Sequence, residues 1–553
     1  MISIAKRFPP RSTLENGFVI FTALLFCLNY SKSFPLAVLN FSFLLLPGLL
    51  IFAITGQTIR ALTIASTIVI ATHLFARLKN LYYKNILMVS DLYVVFDPSN
   101  WDILIQYPLA GIGIAVIFAL IIYFVLQNRI EKKPPLALRL AATVFGILLI
   151  VIVNFYRNDS LLLEQWSARL PRGQGTYANL IFSSQRLRYS PPQFHENDRL
   201  FLEKVSEIKK PDPKPLQKKP NIVVILQEST VNPDLFNLPN VTLPPLDMFK
   251  PNAYTHAQNL LRVHTFGGGT WLSEFSLISG LVSRDFGTMA MSVYYTVTPH
   301  LKTSLVKNLK ENGYHAVILT PSNKSAYNAK SAYRDFGFDE VLQPQDLGYQ
   351  ASPRRNLWEI ESATLLEYAK KIITRRTNKP LFLFMLTLKE HGPYSKGHPV
   401  LYNLDRAGME SGKTRQMSDY ISRIETLSLA TEAFSSFLLK RERPALLVYF
   451  GDHQTVSFDD PKRYNTKIAN TQLLTQFVLR KNYGTHSNEA FEPLDIALLP
   501  GLILEQSDIK PNAFFSANIK MRKLCQGRLE DCPDQSLVNS YRHYIYQTLA
   551  TAG

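Results

Sequence analysis

Hydrophobic positions follow two regimes along this chain, and the change falls near residue 157. Before it, apolar residues come in long unbroken runs: 17–30, Phe34–Thr55, 61–76, Pro108–Leu126 and 136–155. Crossing the hydrocarbon takes roughly 20 apolar residues, with ~17 near the lower limit. The pattern predicts about five transmembrane helices, the first and third of them short. Residues 1–11 are basic and precede an apolar run, as in a secretory leader. No small-residue cleavage site follows Tyr30 and a second run starts at once, so the first run reads as an anchor.

After residue 157 the runs shorten and alternate. Residues 221–226, 316–319, 380–386 and 445–450 read as buried strands, being apolar on both faces. Residues 301–312 (closed by Gly313), 363–374 and 421–439 read as helices. Such alternation predicts an α/β domain with a mainly parallel sheet covered by helices on both faces. The proline- and lysine-rich stretch 209–220 reads as a linker, since each proline would break a helix. The expected organisation is a transmembrane domain over 1–156, a membrane-proximal segment and linker over 157–220, and a catalytic domain over 221–553.

Charge sets the orientation. With the N-terminus inside, the cytoplasmic segments hold Lys6, Arg7, Arg11, Arg60, Arg129, Lys132 and Lys133, against Lys32, Arg77, Lys79 and Lys84 in the outer loops. Five spans then carry everything after Phe155 outside. The formal net charge is +17. On an anchored outer domain, this favours anionic lipid headgroups or glycans over nucleic acid. Of three cysteines, Cys27 lies in an apolar run, whereas Cys525 and Cys532 flank a short polar loop. That spacing predicts a local disulfide in an oxidising compartment.

The candidate chemistry sits where apolar runs stop. Glu228 follows the first strand, Asp452 and His453 follow the last, and His391 follows the run ending at Leu388. In open α/β sheets, ligands gather at the carboxyl ends of strands. Thr270 follows three glycines and opens a helical pattern with Leu272, Phe275, Ile278 and Leu281 every third residue. A helix N-terminus favours anions, and a divalent cation can hold a threonine hydroxyl as an alkoxide. Each residue also has an ordinary reading, as an N-cap threonine, a capping carboxylate or a satisfied turn. Their shared placement at strand ends points instead to a metal shell of Glu228, Thr270, Asp452 and His453 with a hydroxyl nucleophile inside it.

The motifs resemble the alkaline phosphatase/sulfatase superfamily, and within it the membrane-anchored lipoteichoic acid synthase-like phosphoglycerol and phosphoethanolamine transferases. The resemblance rests on Glu228-Ser229, on Thr270-Trp271-Leu272-Ser273-Glu274-Phe275, on Thr387-Leu388-Lys389-Glu390-His391, on Gly451-Asp452-His453 and on the segment around 327–339. It implies an inner-membrane enzyme with a periplasmic catalytic domain, Thr270 as nucleophile and His391 as substrate ligand. It also implies a divalent metal (manganese or zinc, with magnesium possible), a phospholipid donor and a glycan or lipid acceptor. The chain departs from the family pattern at Thr320, Tyr327 and Ala329, where the family carries a histidine, a tryptophan and an arginine. The headgroup transferred is therefore left open between phosphoglycerol and phosphoethanolamine. A hydrolase using the same site, and a binding protein that lost the chemistry, are the alternatives.

Overall fold

Three helices among the described residues are long and apolar enough to cross a membrane: Phe34–Thr55, Arg60–Leu81 and Leu136–Arg157. They belong to a computed structural model that describes all residues except 1–32, 84, 101–107, 127–133, 168–174, 187, 209–217, 351–356, 377, 459–463 and 485–492. The expected span over 17–30 and most of the proline-rich linker lie outside the described residues. Pro108–Leu126 is helical over its whole length. The expectation of about five spans therefore stands at three candidates here.

The third apolar run lengthens into a helix over Thr58–Tyr83. It continues past the apolar stretch because its polar end is satisfied. Lys79 Nζ donates to both oxygens of Asp91 at 2.8 and 2.7 Å.

The chain divides into two units, Met1–Arg188 and Tyr189–Gly553. In the first, Leu36, Leu39, Trp166, Ala178 and Phe182 form a small buried cluster with Ile86 and Met88. The indole N–H of Trp166 donates to Asn179 at 2.9 Å. In the second unit, the helix Arg199–Ser206 packs on Gln535–His543. Phe201 meets Tyr541 edge-on at 5.2 Å, and its N–H donates to Ser540 Oγ at 3.0 Å.

The second unit is built on one sheet of eight strands: β1 (Asn221–Gln227), β2 (Thr255–Arg262), β3 (His315–Leu319), β4 (Glu340–Leu342), β5 (Leu381–Thr387), β6 (Ala445–Gly451), β7 (Leu474–Lys481) and β8 (Leu494–Asp495). Their order is β4-β3-β5-β1-β6-β7-β2-β8. Only β7 runs against its neighbours, pairing antiparallel with β6 and β2, so the sheet is mixed rather than wholly parallel.

β1, β5 and β6 are buried at every position, which requires cover on both faces. On one face, Val223, Ile225, Leu383 and Leu447 share a core with Leu366 and Ile373 of the helix Ser362–Arg375 and with Ile421 and Ile424 of the helix Ser411–Leu439.

Register makes the site. Gln227 is level with Thr387 of β5 on one side and with Gly451 of β6 on the other. The residues that follow these three strands emerge side by side at one edge.

Two helix limits differ from expectation. The helix expected from residue 301 starts at Leu305, because Ser304 caps it by accepting from the N–H of Lys307. The helix expected from 421 begins at Ser411, since its added turns are polar in composition but bury Met417 and Tyr420. Cys525 and Cys532 form a disulfide.

Candidate functional site

Glu228, Asp452 and His453 each offer a ligand atom within 4.8 Å of the others. All three are buried, at 1%, 0% and 2% exposure. His453 Nε2 lies 3.4 Å from Glu228 Oε1 and 3.3 Å from Asp452 Oδ2.

Each side chain is pinned through its other atoms. Asp452 Oδ1 accepts from the N–H groups of Ser229 and His453, both at 2.8 Å. Glu228 Oε1 accepts from Ser229 Oγ at 2.8 Å. The Nδ1 of His453 faces the carbonyl of Gln454 at 3.1 Å, which assigns the proton to Nδ1 and leaves the Nε2 lone pair toward the carboxylates.

The strand end tolerates only glycine before Asp452. A Cβ on Gly451 would stand 1.7 Å from the carbonyl oxygen of Thr230.

Thr270 joins this group from the sheet's other connection. Gly267, Gly268 and Gly269 have φ of +74°, +148° and +82°, a path closed to most side chains. The turn is fastened by the N–H of Gly267, which donates to Gln454 at 2.8 Å. Gly269 is the N-cap, and Thr270 is the first residue of the helix Thr270–Ser279. The threonine is therefore not the cap itself. Its Oγ1 donates to Glu228 Oε2 at 3.0 Å. Thr270 is half-buried, whereas residues 271–279 are buried throughout.

The electrostatics are those of a cation site. Burial, and then the adjacent Glu228 carboxylate, hold Asp452 well above the usual carboxylate range, against the hydrogen bonds from the Ser229 and His453 N–H groups. Burial pushes the His453 imidazole below its ordinary value. Asp452 Oδ2 and His453 Nε2 are buried without a hydrogen-bond partner. Buried polar atoms are ordinarily satisfied. Two orphaned donor atoms facing a second carboxylate fit a divalent ion bound by oxygen and nitrogen.

Sequence reasoning did not single out the supports of this group. Ser273 Oγ donates to the Asp452 carbonyl at 2.6 Å. Glu274 Oε2 accepts from Tyr294 at 3.1 Å and from Tyr333 at 2.8 Å. Burial raises Glu274 to about 8 even though both tyrosines favour its charged form. Ser273 and Glu274 stand inside the threonine motif, but only the fold shows what they hold.

His391 lies apart from the cluster of three, in the loop after β5. It is partly exposed, meets Trp358 edge-on at 5.1 Å, and its Nδ1 faces the Gly392 carbonyl. Where the sequence departs from the family pattern, Tyr327 stacks on Trp271, the residue after Thr270, at 4.4 Å. Thr320 is buried against Ser322, its Oγ1 3.0 Å from the serine hydroxyl.

Known proteins are similar to this chain over different lengths. The sulfatase family model matches residues 220–495. An uncharacterised protein of Haemophilus influenzae is 38% identical over 544 residues, covering 96% of this chain and 98% of its own. The capsular polysaccharide biosynthesis protein RkpI of Rhizobium meliloti is 24% identical over 250 residues, 44% of this chain and 43% of that protein. In fold, the chain is similar to the Streptococcus pyogenes phosphoglycerol transferase GacH in complex with sn-glycerol-1-phosphate. The TM-score is 0.51 at 19% identity, over 65% of this chain and 95% of the other. Over residues 220–495, which hold the glycine-led threonine helix and the Gly451-Asp452-His453 strand end, the chain belongs to the sulfatase family.

Proposed function

We propose that this chain is a metal-dependent, membrane-anchored transferase. It moves a phospholipid-derived headgroup, phosphoglycerol or phosphoethanolamine, to a glycan or lipid acceptor in the cell envelope through a phospho-threonine intermediate. The observation that carries this reading is the 3.0 Å hydrogen bond from the hydroxyl of the partly buried Thr270 to Glu228, a member of the buried acidic and imidazole cluster.

Glu228, Thr270, Asp452 and His453 would hold the metal, manganese or zinc, with magnesium a third choice. Bound there, a divalent cation supplies positive charge against the phosphoryl oxygens and lowers the proton affinity of the hydroxyl. Thr270 Oγ1 gives its proton to Glu228 Oε2, which it already faces, and attacks phosphorus. The Oγ1–P bond forms and the phosphoester bond to diacylglycerol breaks, the glyceride oxygen leaving with a proton. His391 hydrogen-bonds the phosphate or shuttles that proton. An acceptor hydroxyl then bonds to phosphorus, and the Oγ1–P bond breaks as Thr270 recovers its proton.

The apolar helices and the disulfide support a multi-pass inner-membrane protein with its catalytic unit in the periplasm. The names of relatives support the substrate class: GacH is a phosphoglycerol transferase, and RkpI is a capsular polysaccharide biosynthesis protein.

The test is mass spectrometry of the Thr270 peptide after incubating the purified protein with phosphatidylglycerol or with phosphatidylethanolamine. Added phosphoglycerol or phosphoethanolamine mass on Thr270 is expected and names the headgroup. Lipid turnover with an unmodified peptide would overturn the covalent route. Turnover through the adduct to free headgroup alone, with every acceptor supplied, would make the protein a hydrolase.

A further inference from the structure

One turn of the helix Ser411–Leu439 reaches two of the loops that leave the carboxyl edge of the sheet. Its residues are Asp419, Tyr420 and Arg423. Arg423 and Asp419 pair as a fork, Nε to Oδ1 at 3.0 Å and Nη2 to Oδ2 at 2.8 Å. The remaining guanidinium donors go to main-chain carbonyls of the loop after β5. Nη1 donates to Lys389 at 3.1 Å and to His391 at 2.7 Å, and Nη2 donates to Pro393 at 3.4 Å.

Asp419 takes hold of the same loop, its Oδ2 accepting from the N–H of Ser395 at 2.7 Å. The Tyr394 ring lies under the guanidinium at 5.2 Å, and its hydroxyl donates to the Glu390 carbonyl at 3.0 Å. The loop is thus held through its backbone on both sides of His391. Side-chain exposures of 21% for Arg423 and 9% for Asp419 keep the fork largely out of water, where charge-assisted bonds fix geometry best.

Tyr420, on the same turn, reaches the loop after β1. Its hydroxyl accepts from the N–H of Val231 at 3.0 Å and donates to the Ser229 carbonyl at 3.1 Å. Ser229 in turn is bonded to Glu228 and Asp452. One helical turn therefore sets the loop of His391 against the loop of Glu228.

We propose that the Arg423–Asp419 fork is a positioning device for His391, fixing where the imidazole stands relative to the Thr270 hydroxyl without touching substrate. This rests on the assignment of His391 to the phosphate. No bond or proton changes hands at the fork. Lysine cannot replace the arginine fully, because an ammonium cannot bridge a carboxylate and several carbonyls in one plane.

The test is calorimetric titration of metal-loaded, full-length protein with inorganic phosphate. It covers wild type, His391→Ala, Arg423→Gln, Arg423→Lys and the double variant His391→Ala/Arg423→Gln, with metal content and melting midpoint recorded for each. His391→Ala is expected to weaken phosphate roughly tenfold, and Arg423→Gln by a similar factor. The double variant should bind no more weakly than His391→Ala alone, since the fork acts only through that histidine. Arg423→Lys should fall between wild type and Arg423→Gln. If Arg423→Gln binds phosphate as wild type does while His391→Ala does not, the fork is purely structural and the proposal falls, with the reading of His391 intact. If His391→Ala itself binds normally, the reading of the site fails and takes the proposal with it. Should Arg423→Gln not fold, Arg423→Lys decides, and wild-type phosphate affinity in that variant overturns the proposal.

Discussion

Ser273 donates its hydroxyl to the main-chain carbonyl of Asp452 at 2.6 Å, joining two residues 179 positions apart in sequence. Both are fully buried. The helix that starts at Thr270 is thereby bonded, within its first turn, to the backbone of the carboxylate loop. Hydroxyl and ligand atoms are set by one short connection rather than by the long chain between them.

The nucleophile assignment predicts a split between substitutions. Thr270→Ala should abolish headgroup release while part of the metal binding persists on the three remaining ligands. Thr270→Ser should retain measurable turnover, because a primary hydroxyl offers the same oxygen and the methyl group only restricts its rotamer. Turnover assays on the two variants, with elemental analysis alongside, check this. Substantial release by Thr270→Ala would leave metal-activated water as the better account.

The metal shell predicts opposite effects with and without the ion. Asp452→Asn removes one of two carboxylates crowded in a buried site, where burial and Glu228 already disfavour its charge. Chelator-treated Asp452→Asn should melt no lower than chelator-treated wild type. With manganese or zinc in hundredfold excess over the dissociation constant, wild type should gain ~2.7 kcal/mol and the variant should gain little. Full metal occupancy in Asp452→Ala would show that the shell is assigned wrongly.

Glu274 predicts a pH dependence. Burial raises its carboxyl from 4.5 to about 8, so the folded state keeps a proton that the unfolded chain has lost. Its contribution is fully present below about 4.5 and declines as pH rises to about 8. Each tenfold difference in proton affinity is worth ~1.4 kcal/mol. Chelator-treated wild type should lose stability between these limits, and Glu274→Gln should lose less of it, since a side-chain amide oxygen still accepts from Tyr294 and Tyr333. Denaturant melts at pH 5 and pH 8 compare the two slopes. Equal slopes would remove Glu274 as the titrating group.

Topology and redox state give the last expectation. A reporter active only outside the cytoplasm should work when fused after Pro220 and stay silent after Lys133. Cys525 and Cys532 should resist alkylation until reduced, and replacing both by serine should cost ~2–3 kcal/mol for so short a loop. An active Lys133 fusion with a silent Pro220 fusion would reverse the orientation.

What could be read from the sequence follows from how local its causes are. β1, β5 and β6 are unbroken apolar runs whose burial on both faces leaves no other reading, and their ends carry Glu228, His391 and Asp452. β2 was not visible, because Thr255, His256, Gln258 and Asn259 dilute its pattern and only pairing with β7 makes it a strand. Thr475, Gln476 and Arg480 interrupt β7 in the same way, and its reversal, which makes the sheet mixed, depends on neighbours distant in sequence. Ser229, Ser273 and Tyr420 act through partners that the fold alone brings near. The span count is limited differently: Pro108–Leu126 is helical as its composition suggests, but a helix by itself does not say what surrounds it.

Thr270 is partly buried, and it sits against Glu228, Asp452 and His453, which are fully buried. Under the proposed reaction the threonine oxygen carries one phosphoryl group at a time, so donor and acceptor do not engage it together. They must take turns, which is ping-pong kinetics: the first product departs before the second substrate engages. The same two-step route fixes handedness. Each in-line displacement turns the phosphorus centre inside out, and two in succession return it, so a donor made chiral at phosphorus would yield a product of retained configuration.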